Sequence, residues 1–219
     1  MNVRYGVLST SRIARNQHIP AARASTNSQI VAISSRDKAR AEEWTQKLDI
    51  PQAYGSYDEL LADPQIDAVI NPLPNSLHAE WTVKAAQAGK HILCEKPLAV
   101  TVAGAQRMIE AAQANDVLLM EGFTTQFQPM MPVIRHIIDA GEIGEVMIAR
   151  AELTYTMSDW ENDNRVKKEL GGGALFDAGC YCVNAIRFLM DGEPESVQAF
   201  QRVKESHGVD STFVGLMRF

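Results

Sequence analysis

The sequence predicts an α/β protein: a doubly wound parallel sheet over residues 1–121, followed by an α+β domain with a mostly antiparallel sheet over residues 122–219. Three observations predict it. Short β-rich runs alternate with helical patterns through the first 120 or so residues, the signature of βα units. The first of these runs leads into a loop of small residues that opens a helix. After Met120 the alternation stops and strands begin to follow strands.

Strands are expected at Val3 to Leu8, Gln29 to Ser34, Asp67 to Asn71, His91 to Cys94 and Val117 to Met120. Helices are expected at Arg12 to Ala24, Asp37 to Leu48, Ser76 to Ala88 and Val102 to Ala114, with a short turn at Tyr57 to Leu61. Beyond them come a helix at Val133 to Ala140 and a long alternating strand at Glu145 to Thr156. A helix opened by Gly171-Gly172-Gly173 runs to Met190, before strands at Ser196 to Val203 and Ser211 to Phe219. The last run stops inside an apolar strand. The sequence thus leads us to expect either a domain incomplete at its C-terminal end or a partner that covers the edge.

Composition narrows the function. A net charge of −6 argues against broad attraction to nucleic acid or an anionic membrane. No apolar run approaches the roughly 20 residues of a spanning helix, and no secretory leader pattern opens the chain, so a cytoplasmic location is expected. Three scattered cysteines suggest neither a disulfide framework nor a metal site, and Cys180 and Cys182 read as packing thiols. Hydrolase elbows, zinc-protease pairs and P-loops are missing from the sequence.

A doubly wound sheet binds ligands beyond the carboxyl ends of its strands. After the first strand, Ser9-Thr10-Ser11-Arg12-Ile13-Ala14 stands where a Rossmann-type fold carries G-x-G-x-x-G/A. Ser9 and Ser11 occupy the first two glycine positions and Ala14 the third. Serine can hydrogen-bond a phosphate, but its Cβ penalises left-handed backbone, and Ser-Thr-Ser before a helix also suits ordinary capping. The second strand ends at Ser34-Ser35-Arg36, without the carboxylate that usually accepts a ribose 2′-OH. Arg36 can pair with a 2′-phosphate or simply lie in solvent, while Asp37 is placed to cap the next helix. The expected cofactor is NADP rather than NAD.

Glu95-Lys96-Pro97, after its strand and behind Pro74-Asn75-Ser76-Leu77-His78, resembles the glucose-fructose oxidoreductase / inositol dehydrogenase / MocA family. So does Gly171-Gly172-Gly173-Ala174-Leu175-Phe176-Asp177-Ala178-Gly179-Cys180-Tyr181, and the branch of dihydrodiol and NADP-dependent xylose dehydrogenases looks closest. The resemblance implies an NAD(P)-dependent dehydrogenase acting on a CH–OH group of a sugar, cyclitol or diol; separately, an antiparallel sheet with an open face leads us to expect a homo-oligomer formed through the C-terminal sheet. The resemblance also implies Lys96, Tyr181 and Asp177 as catalytic residues. Its cofactor set is Ser9, Thr10, Ser11, Arg12, Ile13, Ser35, Arg36, Leu73, Asn75, His78, Glu95, Lys96 and Arg165, with no metal.

Oxidising an alcohol requires removal of its hydroxyl proton as hydride leaves. Burial beside a positively charged nicotinamide disfavours the ammonium form of Lys96 and suits it as the base. Alternatively it stays charged and polarises the oxygen, with the Tyr181 phenol relaying the proton. Asp177, four residues before Tyr181, shares its helical face. His78 reads equally as structural or ligand-facing, Trp160 lies near Arg165 in the loop before the glycines, and Glu121-Gly122-Phe123 with Gln126-Phe127 read as packing. Pro97 suggests a cis bond. Two rival readings stay open: a non-enzymatic nucleotide sensor or assembly protein, and a glycosidase that retains its cofactor.

Overall fold

The computed structural model describes residues 2–219, and the chain divides into two units, the first ending at Gly122 and the second spanning Phe123–Phe219. The first unit is a six-stranded sheet. Its strands are β1 (Val3–Leu8), β2 (Ser28–Ser34), β3 (Gln52–Tyr54), β4 (Ala68–Asn71), β5 (His91–Glu95) and β6 (Leu119–Gly122). They lie in the order β3-β2-β1-β4-β5-β6, and each adjacent pair is parallel. This is the expected doubly wound sheet, whose order reverses between β1 and β4 and opens a crevice at their carboxyl ends.

Side-chain alternation explains why both faces carry helices. Val7 and Leu8 are adjacent and fully buried, yet they enter different cores. Val7 packs with Ile19, Ile33 and Ile70 beneath α1 (Ile19–Ala24) and α2 (Lys38–Leu48). Leu8 packs with Leu60, Ala85 and Met108 beneath α3 (Tyr57–Ala62), α4 (His78–Gln87) and α5 (Val102–Ala114). Asp37, Ser56 and Thr101 start α2, α3 and α5 by accepting from Arg40, Glu59 and Gly104 backbone N–H groups at 3.4, 3.1 and 3.0 Å. At the amino end of the sheet Arg4 clasps Asp67 through its backbone N–H and its guanidinium. That pairing holds the Asp67 carboxyl at about 2.

The second unit contains α6 (Met130–Asp139), α7 (Cys180–Met190) and an antiparallel hairpin of β7 (Ser196–Lys204) and β8 (Val209–Arg218). Arg135 of α6 donates to the Phe188 carbonyl of α7 at 3.0 Å. Two expectations change here. Gln52–Tyr54 forms a further strand beyond those expected in the first unit. Glu145 to Thr156 is irregular rather than a strand, with Met147 and Ile148 exposed, while β7 and β8 pair with each other. Alternation records where side chains point; a ladder also needs a neighbouring strand to receive its N–H and C=O groups. Among the described residues no helix is long and apolar enough to cross a membrane.

Candidate functional site

The first cluster lies along the carboxyl edge of the first sheet. β1 delivers the chain to Ser9, whose φ is +131°, a region normally left to glycine. Its Oγ is buried without a hydrogen-bond partner. Ser11 accepts the Ala14 N–H at 3.3 Å, so it caps the helix start, and Arg12 and Ile13 are exposed beside it. The helix opens with a widened turn, Ala14–His18, in which the Ile19 N–H reaches back five residues to the Ala14 carbonyl. Pro20 follows and has no N–H for a regular helical bond at this point.

At the end of β2, Ser34 donates to the Val7 carbonyl at 3.2 Å, and Ser35 accepts the Asp37 N–H at 3.2 Å. Asp37 caps α2, which leaves Arg36 as the exposed charge at this strand end. Burial raises the Tyr57 phenol, and the neighbouring Arg36 guanidinium opposes that rise. These residues fit a nucleotide 2′-phosphate: the Arg36 guanidinium and the Ser35 hydroxyl stand at the strand end, and the nearby carboxylate is engaged as a helix cap.

Between β4 and α4 the chain is shaped by buried Asn71, which accepts from the Leu73 N–H at 3.4 Å and donates to the His78 carbonyl and to Thr82 Oγ1. Leu73 is buried, and Asn75 opens a short 3-10 turn, half-buried. His78 is fully buried. Its Nδ1 lies 2.8 Å from the Pro97 carbonyl oxygen and its Nε2 2.8 Å from the Leu73 carbonyl oxygen, so it packs between two loops of the edge. Desolvation holds its pKa below the ordinary histidine value.

β5 ends at Glu95, and the half-buried Lys96 is followed by a cis peptide bond to Pro97. Glu95 Oε2 accepts the Lys96 N–H at 3.3 Å, and Oε1 lies 2.7 Å from His18 Nε2. Glu121 accepts the Leu98 N–H at 2.8 Å, and burial raises its pKa.

The second cluster belongs to the second unit. Gly173 has φ +126°, and a methyl group there would collide with the Asp210 carboxylate; one on Gly172 would strike the Arg165 backbone. Asp210, from β8, accepts the Leu175 N–H at 2.8 Å and so anchors the widened turn Leu175–Gly179 that leads into α7. Asp177 lies in that turn and accepts from the Tyr155 hydroxyl and, at 3.4 Å, from Arg165. Arg165 is itself held by Asp163 through two contacts of 2.7 and 2.9 Å. Burial, followed by the bond to Asp177, pushes the Tyr155 phenol up to about 12. Tyr181 follows in α7, half-buried, its ring 5.1 Å from Phe123. The Trp160 carbonyl accepts from His207, and Lys204 lies 3.7 Å over the Trp160 ring, pinning that loop to the β7–β8 turn.

The residues predicted from sequence thus fall into these two groups. Ser9 to Ile13, Ser35, Arg36, Leu73, Asn75, His78, Glu95 and Lys96 share the sheet edge of the first unit; Arg165, Asp177 and Tyr181 belong to the second. His18, Asn71, Tyr155 and Asp210 went unnoticed in the sequence, and each acts through a partner distant along the chain or buried under a loop. Cys94 is buried, which pushes its thiol up to about 12, while Cys180 and Cys182 are half-buried. Among the described residues no group of His, Cys, Asp or Glu is arranged to hold a metal.

Comparison with known proteins gives two family matches. Residues 3–123 match the oxidoreductase family with an NAD-binding Rossmann fold known as GFO/IDH/MocA, and residues 132–219 match the GFO/IDH/MocA C-terminal domain. The chain is 38% identical over 215 residues to the NADP(+) D-xylose 1-dehydrogenase 2 of Haloferax volcanii, covering 98% of this chain and 65% of that one. It is 37% identical over 225 residues to the trans-1,2-dihydrobenzene-1,2-diol dehydrogenase of Xenopus tropicalis, covering 100% of this chain and 66% of that one. The chain therefore spans just under two thirds of the length of these relatives. Among solved structures, a 3-ketoreductase from Actinomadura kijaniata, crystallised with NADP and TDP-benzene, superposes with a TM-score of 0.83 at 32% identity, over 96% of this chain and 64% of that one.

Proposed function

This chain belongs to the GFO/IDH/MocA oxidoreductase family, and from that premise we propose that it transfers hydride between NADP and a hydroxyl or carbonyl carbon of a sugar, cyclitol or diol. The observation that carries the proposal is the sheet edge itself. Lys96, in a turn at the end of β5, shares that edge with the Ser9–Ile13 loop and with Arg36. The relatives named for NADP, xylose or a dihydrodiol support the cofactor and the substrate class.

Backbone N–H groups of Ser9 to Ile13 hold the pyrophosphate at the start of the first helix, and Ser35 with Arg36 takes the 2′-phosphate. Leu73 and Asn75 line the edge, and His78 acts from beneath it, its single N–H donated to the Leu73 or the Pro97 carbonyl. Glu95 orients the Lys96 turn. When bound, the nicotinamide supplies the hydride acceptor or donor. Lys96 and Tyr181 handle the hydroxyl proton, with Asp177 orienting the substrate or the lysine, and Arg165 holding Asp177. Which of Lys96 and Tyr181 receives the proton is left to a pH–rate profile of variants at each.

We also propose self-association through the antiparallel sheet. By register Phe200, Val214 and Leu216 share one of its faces, and each is more than half exposed. Sedimentation at several concentrations tests this.

The functional test is nicotinamide absorbance with a panel of aldoses, cyclitols and diols. NADPH formation supports the dehydrogenase. Sugar cleavage without net NADPH points instead to a cofactor-retaining glycosidase, and nucleotide binding with no chemistry to a sensor or assembly protein.

A further inference from the structure

Two elements far apart in sequence meet at Glu95. His18 closes the widened turn that follows the Ser9–Ile13 loop, and Glu95 is the last residue of β5. The His18 and Glu95 side chains are 13% and 16% exposed, with Nε2 and Oε1 2.7 Å apart. An imidazole that carries its proton on Nε2 donates to the carboxylate whether neutral or charged. The other carboxylate oxygen accepts the Lys96 N–H at 3.3 Å. One rotamer of Glu95 is therefore set from two sides, by the helix behind the nucleotide loop and by the backbone of Lys96.

The rest of the turn is held independently. Glu121 accepts the Leu98 N–H, and His78 lies against the Pro97 carbonyl. Glu95 and Glu121 also repel: the charge of Glu95 contributes to raising Glu121. Without His18, Glu95 would be a largely buried carboxylate next to a second acid, and turning outward to water would relieve both costs. That movement would release the Lys96 N–H.

We propose that His18 is a positioning residue, which through Glu95 makes the placement of Lys96 depend on the seating of the nucleotide-loop helix. This rests on the NADP reading of the same edge. The strut works by reach: a glutamine amide can stand where Nε2 stands, and an asparagine amide cannot.

The test compares His18→Gln with His18→Asn in the full chain, using residue-resolved amide exchange with and without NADP, the Kd for NADP, and kcat against KM. Asparagine is expected to speed exchange at the Lys96 amide about tenfold and to leave the Leu98 amide, held by Glu121, unchanged. It should lower kcat about tenfold with substrate KM within about twofold, and glutamine should restore both readouts to within about threefold of wild type. Unchanged Lys96 exchange in His18→Asn, or a glutamine variant that behaves like asparagine, overturns the proposal. If the wild-type protein turns over no substrate, the oxidoreductase reading fails by itself, and the exchange data still decide whether His18 holds the turn.

Discussion

Ser9 and Gly173 occupy the same half of backbone space, φ +131° and +126°, and each precedes a helix that opens with a widened turn, Ala14–His18 in one case and Leu175–Gly179 in the other. Their surroundings differ. At Gly173 the protein supplies its own partner: Asp210 fills the space a side chain would need and accepts the Leu175 N–H. At Ser9 a residue with a Cβ is held in the strained region and its hydroxyl is buried unpartnered. Strain and an unmet polar group that persist at the end of a central strand mark a place shaped for something besides the fold. The turn at Gly173 is a finished piece of scaffold that presents Asp177 and Tyr181.

That contrast can be broken or sharpened by mutation. The largest effect is expected at Lys96, on the same edge as Ser9: Lys96→Met lowers turnover roughly 10²–10⁴-fold and leaves the thermal midpoint unchanged, as kinetics and calorimetry on one preparation would show. Retention of near-normal rates would remove Lys96 from the chemistry. Next is Gly173→Ala, which adds both a collision with Asp210 and left-handed strain. It should cost roughly 3 kcal/mol in chemical denaturation of the second unit. A loss below about 1 kcal/mol would show that the turn rearranges easily.

Ser9→Gly runs the other way. Relief of strain worth roughly 1–3 kcal/mol is offset by about 0.5–1 kcal/mol of glycine chain entropy. A small net stabilisation and equal or tighter NADP binding are expected from denaturation and titration.

The smallest effect lies at the opposite end of the sheet. Asp67 is held at about 2 chiefly by its hydrogen bonds to Arg4. A carboxyl depressed in the folded state adds stability above its unfolded pKa of about 4 and loses it as pH falls toward 2. Arg4→Met should therefore shift the acid unfolding midpoint to higher pH and leave NADP affinity alone. An altered affinity would show that the two ends of the sheet are coupled.

Much of the first unit was readable because helices cover both faces of its central strands, whose runs are therefore apolar. Three-residue β3, between Pro51 and Gly55, is too short to show a period and looks like a turn. The widened turns at Ala14–His18 and Leu175–Gly179 leave no trace in hydrophobic spacing. That the Ser9 loop, Arg36 and Lys96 stand at strand ends was legible because the strands themselves were, and the resemblance of Glu95-Lys96-Pro97 singled out the lysine. The contacts that hold them were not. His18 meets Glu95 across 77 residues and Leu175 meets Asp210 across 35, and no local pattern encodes either pairing. Tyr155 was hidden inside an alternating run read as a strand.

The account stands on the carboxyl edge of the first sheet being a site for NADP, and side-by-side calorimetric titration of NADP and NAD into the wild-type chain tests this most directly. Saturable binding is expected, with NADP at least about tenfold tighter, the worth of one charge-assisted contact from Arg36. No binding of either nucleotide, or NAD bound as tightly as NADP, would contradict it.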